Sequence, residues 1–247
     1  MENKWTDRTS LLLGDEKMQR LADAHVLVVG VGGVGAYAAE MLCRAGVGEL
    51  TIVDADTVNV TNINRQLPAT HSTIGRLKTE VLGKRLRDIN PVLRLHELPL
   101  YLKEEEASSL LDGTLSALSS EAHRPFTFIV DAIDTIAPKC ALIGEALRRG
   151  IPIVSSMGAG AKSDITQIRF ADLWDTYHCG LAKAVRTRLK KEVLRRPLPV
   201  VFSTEQAVRQ AVITVEGEQN KKSTAGTISY MPAVFGCYLA EYVIRKL

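Results

Sequence analysis

The chain has 247 residues, 46% of them hydrophobic and 24% charged, with a formal net charge of +3. Those proportions suit a globular protein with a full core, and the charge is too small to imply a polyanion partner by itself. Four scattered cysteines, Cys43, Cys140, Cys179 and Cys237, include no C-x-x-C pair, which argues against a structural zinc site and against a secreted disulfide framework.

Glu2, Lys4, Asp7 and Arg8 open the chain with no apolar run behind them, so no secretory signal is read there and the expected compartment is the cytosol. Residues 26–29 read as a buried strand that runs into the turn Gly30-Val-Gly32-Gly33-Val-Gly35. Val34, Ala38, Met41, Leu42 and Ala45 then recur at helical spacing. Gly46 and Gly48 end that helix, and a second strand over 50–53 closes in Asp54-Ala-Asp56.

A polar cluster follows, Asn62-Ile-Asn64-Arg65-Gln66, and then Lys78, on a helix carrying Leu77, Val81, Leu82, Leu86 and Ile89. That helix stops before Pro91, and 93–98 alternates as a strand. The stretch 103–125, rich in Ser, Glu and Ala, reads as a helix plus a surface loop. Residues 126–130 form an apolar strand ending at Asp131, with Asp134 just beyond. A helix over 139–149 and a strand over 151–155 complete the first half. Apolar strands that alternate with helices imply a parallel sheet covered on both faces.

The second half changes character. Residues 164–170 alternate as an exposed antiparallel strand would, and 200–203 and 211–215 are short strand candidates. Between the first and second of these three lies a basic helix over 181–194. In and just after it, Lys183, Arg186, Arg188, Lys190, Lys191, Arg195 and Arg196 are opposed in sequence only by Glu192. Blocks of this kind form solvated faces or meet polyanions. Residues 216–226 read as a polar loop. The longest uncharged segment, 223–240, is broken by Gly226, Pro232 and Gly236. It falls short of the roughly 20 apolar residues of a membrane span and reads as a docked terminal helix, with shallow membrane contact left open. The whole is read as α/β: a Rossmann-like, doubly wound, mostly parallel sheet with antiparallel strands added in the C-terminal half. No long linker interrupts 1–247, so one domain is expected, with the basic helical insertion at about 175–198.

The glycine turn satisfies G-x-G-x-x-G, a pattern that brings backbone N–H groups onto a phosphate chain at a helix N-terminus. Asp54 stands about twenty residues on, where the pattern wants an acid for the ribose hydroxyls. A nicotinamide or flavin enzyme would use the same features. Arg65 and Lys78 add cations that a simple dinucleotide site lacks, and they point to a phosphate bond being broken. When pyrophosphate leaves an α-phosphorus, negative charge grows on the leaving group. A cation at about 4 Å contributes on the order of 4 kcal/mol at an effective dielectric near 20, before solvation is discounted.

In order, Gly-x-Gly-Gly-x-Gly, Asp54-Ala-Asp56, Asn62-Ile-Asn64-Arg65-Gln66, Lys78 and Asp134 resemble the nucleotide site of the E1-like adenylating superfamily, the ThiF/MoeB/HesA group. The resemblance spans about residues 5–170. It implies that Asp54 binds the ATP ribose, that Arg65 and Lys78 hold the β- and γ-phosphates with support from Asn64 and Gln66, and that Asp134 ligates Mg²⁺. Gly30, Gly32, Gly33, Gly35, Asp56 and Asp131 complete the implied nucleotide site. Arg8 looks like the arginine that family members insert into a partner subunit's site, which implies a homodimer.

Thr135 to Lys139, the turn Ser156-Met-Gly158-Ala-Gly160-Ala-Lys162 and the run Val201-Phe-Ser-Thr-Glu205 are similar to the tRNA threonylcarbamoyladenosine dehydratase branch. That implies ATP-dependent cyclising dehydration of a modified adenosine. It also implies a tRNA partner, not DNA, held by the basic helix between Lys183 and Arg196, and leaves room for a sulfur-relay protein. Adenylation of a ubiquitin-like sulfur carrier's C-terminal glycine is the alternative within the superfamily. A nicotinamide-dependent oxidoreductase and a non-catalytic tRNA-binding module are the alternatives outside it. Cys179 is the cysteine in loop territory, expected to be dispensable, while Cys43 and Cys237 fall on helices and are expected in the core.

Overall fold

The computed structural model describes residues 4–115, 124–214 and 223–247. Two short helices, α1 (Asp7–Leu13) and α2 (Asp15–Asp23), lead into β1 (His25–Val29), all of whose residues are buried. The chain continues through α3 (Gly35–Ala45), β2 (Glu49–Val53), α4 (Lys78–Ile89) and β3 (Arg94–Leu98). Next come α5 (Ala107–Leu111), β4 (Phe128–Asp131), α6 (Ile136–Arg149) and β5 (Ile153–Ser156). The last third holds β6 (Ile168–Asp172), α7 (Gly180–Lys191), β7 (Pro199–Ser203), β8 (Val212–Thr214), β9 (Ser223–Ala225) and α8 (Tyr230–Lys246).

Seven strands form one sheet in the order β3-β2-β1-β4-β5-β7-β6. All neighbours run parallel except β6, which lies antiparallel to β7 at the edge. The winding goes outward from β1 to β3 and then reverses through β4. A crevice therefore opens at the C-terminal ends of β1 and β4, where ligands bind in open sheets of this kind. One face packs on α2, α3, α4 and α8 around Leu42, Leu82, Phe235 and Leu239. The other packs on α5, α6 and α7 around Leu110, Ile143, Val185 and Leu189.

Several boundaries differ from the sequence reading, each for a local reason. The helix expected from 139 starts at Ile136, because Pro138 sits in its first turn, where the missing N–H is not needed. The strand expected from 164 starts at Ile168, because the Asp164 side chain accepts from Thr166 N and winds 165–167 into a 3₁₀ turn. The strand over 200–203 joins the sheet parallel to β5, whereas 212–214 pairs with β9 in a separate two-stranded ribbon. The polar loop read over 216–226 lies largely outside the described residues, but its end is β9.

Cys43 and Cys140 are buried, and burial pushes their thiols up to about 11 and about 12. Cys237, expected in the core, is exposed. The reason is that α8 docks through the adjacent Gly236, where a Cβ would come within 2.4 Å of Val34 O on the neighbouring segment. Among the described residues, no helix is long and apolar enough to cross a membrane.

At the opposite end of the sheet from the crevice, Glu49 accepts from Arg94, Arg124 and His96 and faces His25. Two guanidiniums on one carboxylate make this an ion network that ties the starts of β1, β2 and β3 together.

Candidate active site

A cleft of about 670 Å³ lies at the C-terminal ends of β1, β2, β4 and β5. Gly30, Gly32 and Gly33 form one wall, with Asp54, Asp56 and Lys78 beside them and Arg65, Gln66 and Asp134 completing it. Gly30 sits at φ 85°, and a Cβ there would stand 2.8 Å from Ala132 O. Gly35 does not line the cleft. A Cβ on it would fall 1.8 Å from Gly30 O, so its role is the close packing of α3 on the strand turn.

Asp54 is fixed by two backbone donors. Val31 N donates to its Oδ2 and Asp56 N to its Oδ1, each at 2.8 Å. Burial pushes its carboxyl above the usual range, opposed by the Lys78 charge and those two N–H groups. A carboxylate oxygen can accept a second hydrogen bond, so each keeps capacity for a hydroxyl. Lys78, 4% exposed, opens α4 and donates to Asp56 Oδ2 at 2.6 Å. Its backbone N–H donates to Asp56 O at 3.0 Å, so one loop aims the ammonium twice.

Arg65 Nη1 donates to Thr61 O at 2.9 Å and to Asn64 Oδ1 at 2.8 Å. Asn64 itself does not line the cleft. Its amide donates to Thr227 O at 2.9 Å, so it braces Arg65 against the segment before α8. Gln66 does line it, and its buried Oε1 has no hydrogen-bond partner. Oxygen donors dominate here (Asp134, Asp56, the orphaned Gln66 Oε1), and oxygen suits a hard cation such as Mg²⁺.

Asp131 was expected among the nucleotide-binding residues and instead lies behind the cleft wall. It is fully buried, pairs with Lys139 Nζ at 2.7 Å and accepts from Ser155 Oγ at 2.5 Å. Its other oxygen accepts from Ile133 N at 3.1 Å, and Lys139 donates to Ile133 O at 3.0 Å. The residue immediately before Asp134 is thus held from both sides. Arg8, on α1, is exposed and outside this cleft. Around it Trp5, Leu11 and Leu12 are exposed as well.

Sequence reasoning missed part of the wall. Tyr101 and Leu102 follow β3, Leu181 lies in the first turn of α7, and Thr227 and Pro232 flank the start of α8. No local pattern marks residues brought in from so far along the chain. Lys139 and Ser155 were missed too, since a lysine in a first helical turn normally reaches solvent. Cys179 caps α7, accepting from Ala182 N at 3.5 Å, and does not line the cleft.

A sequence profile described as the ThiF family matches residues 6–247. The chain is 37% identical over 247 residues to a tRNA threonylcarbamoyladenosine dehydratase of Bacillus subtilis, covering 97% of this chain and 93% of that one. Among solved structures, Escherichia coli tRNA N6-threonylcarbamoyladenosine dehydratase, TcdA, in complex with ATP superposes with a TM-score of 0.84 at 34% identity, covering 97% of this chain and 91% of that one. The same Escherichia coli protein in complex with AMP gives 0.83 at 34% identity, covering 97% and 92%.

Proposed function

The chain belongs to the ThiF family, and from that premise we propose that it is an ATP-dependent adenylating enzyme whose substrate is N6-threonylcarbamoyladenosine in tRNA. The observation that carries this is the convergence of Lys78, Arg65 and Asp134 on the glycine turn in one cleft. The Bacillus subtilis relative, which shares nearly the whole chain, is a dehydratase of that name, and the Escherichia coli one was captured with ATP and with AMP.

In this reading the Gly32–Gly33 backbone faces the triphosphate, Asp54 takes the ribose, and Lys78 and Arg65 neutralise the departing pyrophosphate. The carboxylate of the threonylcarbamoyl side chain attacks the α-phosphorus. The P–O bond to pyrophosphate breaks and an acyl adenylate forms. A nucleophilic atom of the same side chain then attacks the acyl carbon, AMP leaves carrying one carboxylate oxygen, and a ring closes with net loss of water. Because that nucleophile is tethered, effective molarity drives closure and no enzyme thioester is required. Nor does any step call for a sulfur-relay protein. Asp134 would hold Mg²⁺, which neutralises phosphate charge when bound.

Arg8 acts in trans in a homodimer, reaching the partner's cleft from the exposed face of α1, with Trp5, Leu11 and Leu12 buried between subunits. The cationic α7 faces the tRNA. The deciding experiment incubates the protein with MgATP and tRNA carrying the modified adenosine, reading AMP and nucleoside mass. AMP with loss of one water from the nucleoside is expected. AMP formed only with a small protein ending in Gly–Gly would favour sulfur-carrier adenylation, and binding of NAD in place of ATP would overturn the reading.

A further inference from the structure

A second depression, about 610 Å³, lies between the start of α6 and one face of α7. Gly180, Ala184 and Thr187 line it together with Lys183, Arg188 and Lys191, with Ile136 on the α6 side. It adjoins the cleft through neighbouring residues on both helices. Leu181 and Thr135 line the cleft, while Gly180 and Ile136 line the groove.

The cations of this segment are not equivalent. Arg186 is spent on Thr176 and on the carbonyl of Leu173, and Arg196 donates to Leu147 O at 2.8 Å. Arg195 stacks over Trp174 at 5.7 Å. Arg188 is tied to Glu104 and Glu192, and Glu192 also stands at the groove's far end. Lys183 and Lys191, both exposed, make no ion pair among the described residues. They are eight residues apart on one helix, and two turns of α-helix return a side chain to roughly the same face, about 12 Å along.

We propose that this groove is an RNA phosphate subsite, seating the single strand that flanks the nucleoside held in the cleft. The proposal rests on the tRNA reading above and specifies it. A base that reacts in the cleft must be splayed from its neighbours, and proteins read RNA at such unstacked positions. Its flanking phosphates then lie beside the cleft, where Lys183 and Lys191 are the groove-lining cations without an ion pair among the described residues. The small side chains of Gly180, Ala184 and Thr187 let a sugar–phosphate backbone approach α7 closely. Ile136, 42% exposed, offers an apolar contact to a displaced base. An acidic protein would be held by the same charges, but it would leave unexplained why the groove lies beside residues that line the cleft.

The test uses the full-length protein with Lys183→Ala/Lys191→Ala, and Lys84→Ala/Lys246→Ala on the opposite face as a charge-matched control. Binding of tRNA carrying the modified adenosine is titrated against salt, and turnover is measured with that tRNA and with the free modified nucleoside. The groove variant is expected to weaken tRNA binding about tenfold and to flatten the log–log salt slope by about 1.4, since each single-strand phosphate contact contributes about 0.7. Its KM for ATP and its KM for the free nucleoside stay unchanged, and the control keeps the wild-type slope. An unchanged slope in the groove variant, or an equal loss in the control, overturns the subsite. A wild-type protein that binds tRNA but never dehydrates it overturns the proposed reaction, and the salt titration still decides the groove.

Discussion

Asp131 and Lys139 form an ion pair at 2.7 Å in which both side chains are wholly buried. Such a pair gives little net stability, because desolvation offsets the attraction, but removing one partner strands a charge. What this pair does is clamp Ile133, whose N–H meets Asp131 and whose carbonyl meets Lys139, and so aim Asp134 into the cleft. Lys139→Met should therefore cost about 3–5 kcal/mol in urea unfolding. The charge-neutral Asp131→Asn/Lys139→Met variant should recover most of that stability. It should still lose about tenfold or more in the rate of AMP formation, with a smaller change in KM for ATP. Recovery of both stability and rate would mean that the pair does not position Asp134.

The pH behaviour of Asp54 carries a definite sign. Burial raises its carboxyl pKa in the folded state, so its contribution to stability is full below the unfolded carboxylate value and is lost as pH rises through the folded value. Asp54→Asn removes that titration. The melting temperature of the variant minus that of the wild type should increase as pH passes upward through the Asp54 range. ATP affinity should show the opposite preference, since the ionised carboxylate accepts ribose hydroxyls. The wild type should lose affinity toward acid pH, and the variant should be weaker throughout without that acid limb. Paired calorimetric titrations over about pH 4–7, running upward from the usual aspartate value, would check both.

Much of this cleft was legible because its signals are local. The strand over 26–29, the glycine turn and Asp54 obey one short pattern, and Lys78 opens a helix whose apolar spacing is plain. Asp131 was misread because an acid at a strand end looks like a ligand. Which way it points depends on Lys139 and Ser155, and neither carries a sequence signal for burial. Thr227 and Pro232 reach the cleft only because Gly236 lets α8 settle on α3, and the same docking turns Cys237 outward. The basic helix was visible as composition. Its division into pinned arginines and unpaired lysines needed the backbone of 173–176 and of Leu147.

Gly35→Ala tests the packing role assigned to the last glycine of the turn. In an unconstrained helix interior the change would gain up to about 1 kcal/mol. Here the added methyl would meet Gly30 O at 1.8 Å, so backbone must move. A loss of more than about 2 kcal/mol is expected, together with weakened ATP binding as Gly30 shifts. Denaturant unfolding and ATP titration of the same preparation would check both effects.

Cys179→Ser should be nearly silent. The sulfur accepts from Ala182 N at the start of α7, and a serine hydroxyl serves as well or better in that position. AMP formation and dehydration of tRNA are expected within about twofold of wild type, less than one RT of activation free energy. A dead serine variant that still folds would mean that a thioester intervenes.

The role of Arg8 can be separated from mere proximity by mixing subunits. Arg8 lies outside the cleft of its own chain, and the helix carrying it leaves Leu11 88% and Leu12 82% exposed, a surface that a second copy would cover. In the proposed homodimer, Arg8→Ala and Arg65→Ala should each be strongly impaired, by at least about tenfold if each guanidinium meets phosphate charge in the transition state. After the two are mixed and allowed to exchange subunits, every heterodimer contains one site with an intact Arg65 and the partner's intact Arg8. The other site in that heterodimer lacks both. Activity should therefore return toward about a quarter of wild type, since half of the dimers are mixed and half of their sites are whole. If Arg8 served its own chain's cleft, neither site of the heterodimer would be complete and mixing would restore nothing. Sedimentation of the wild type and of Leu11→Glu/Leu12→Glu supplies the companion measurement, since a charged α1 should yield monomers that bind ATP yet form AMP only slowly.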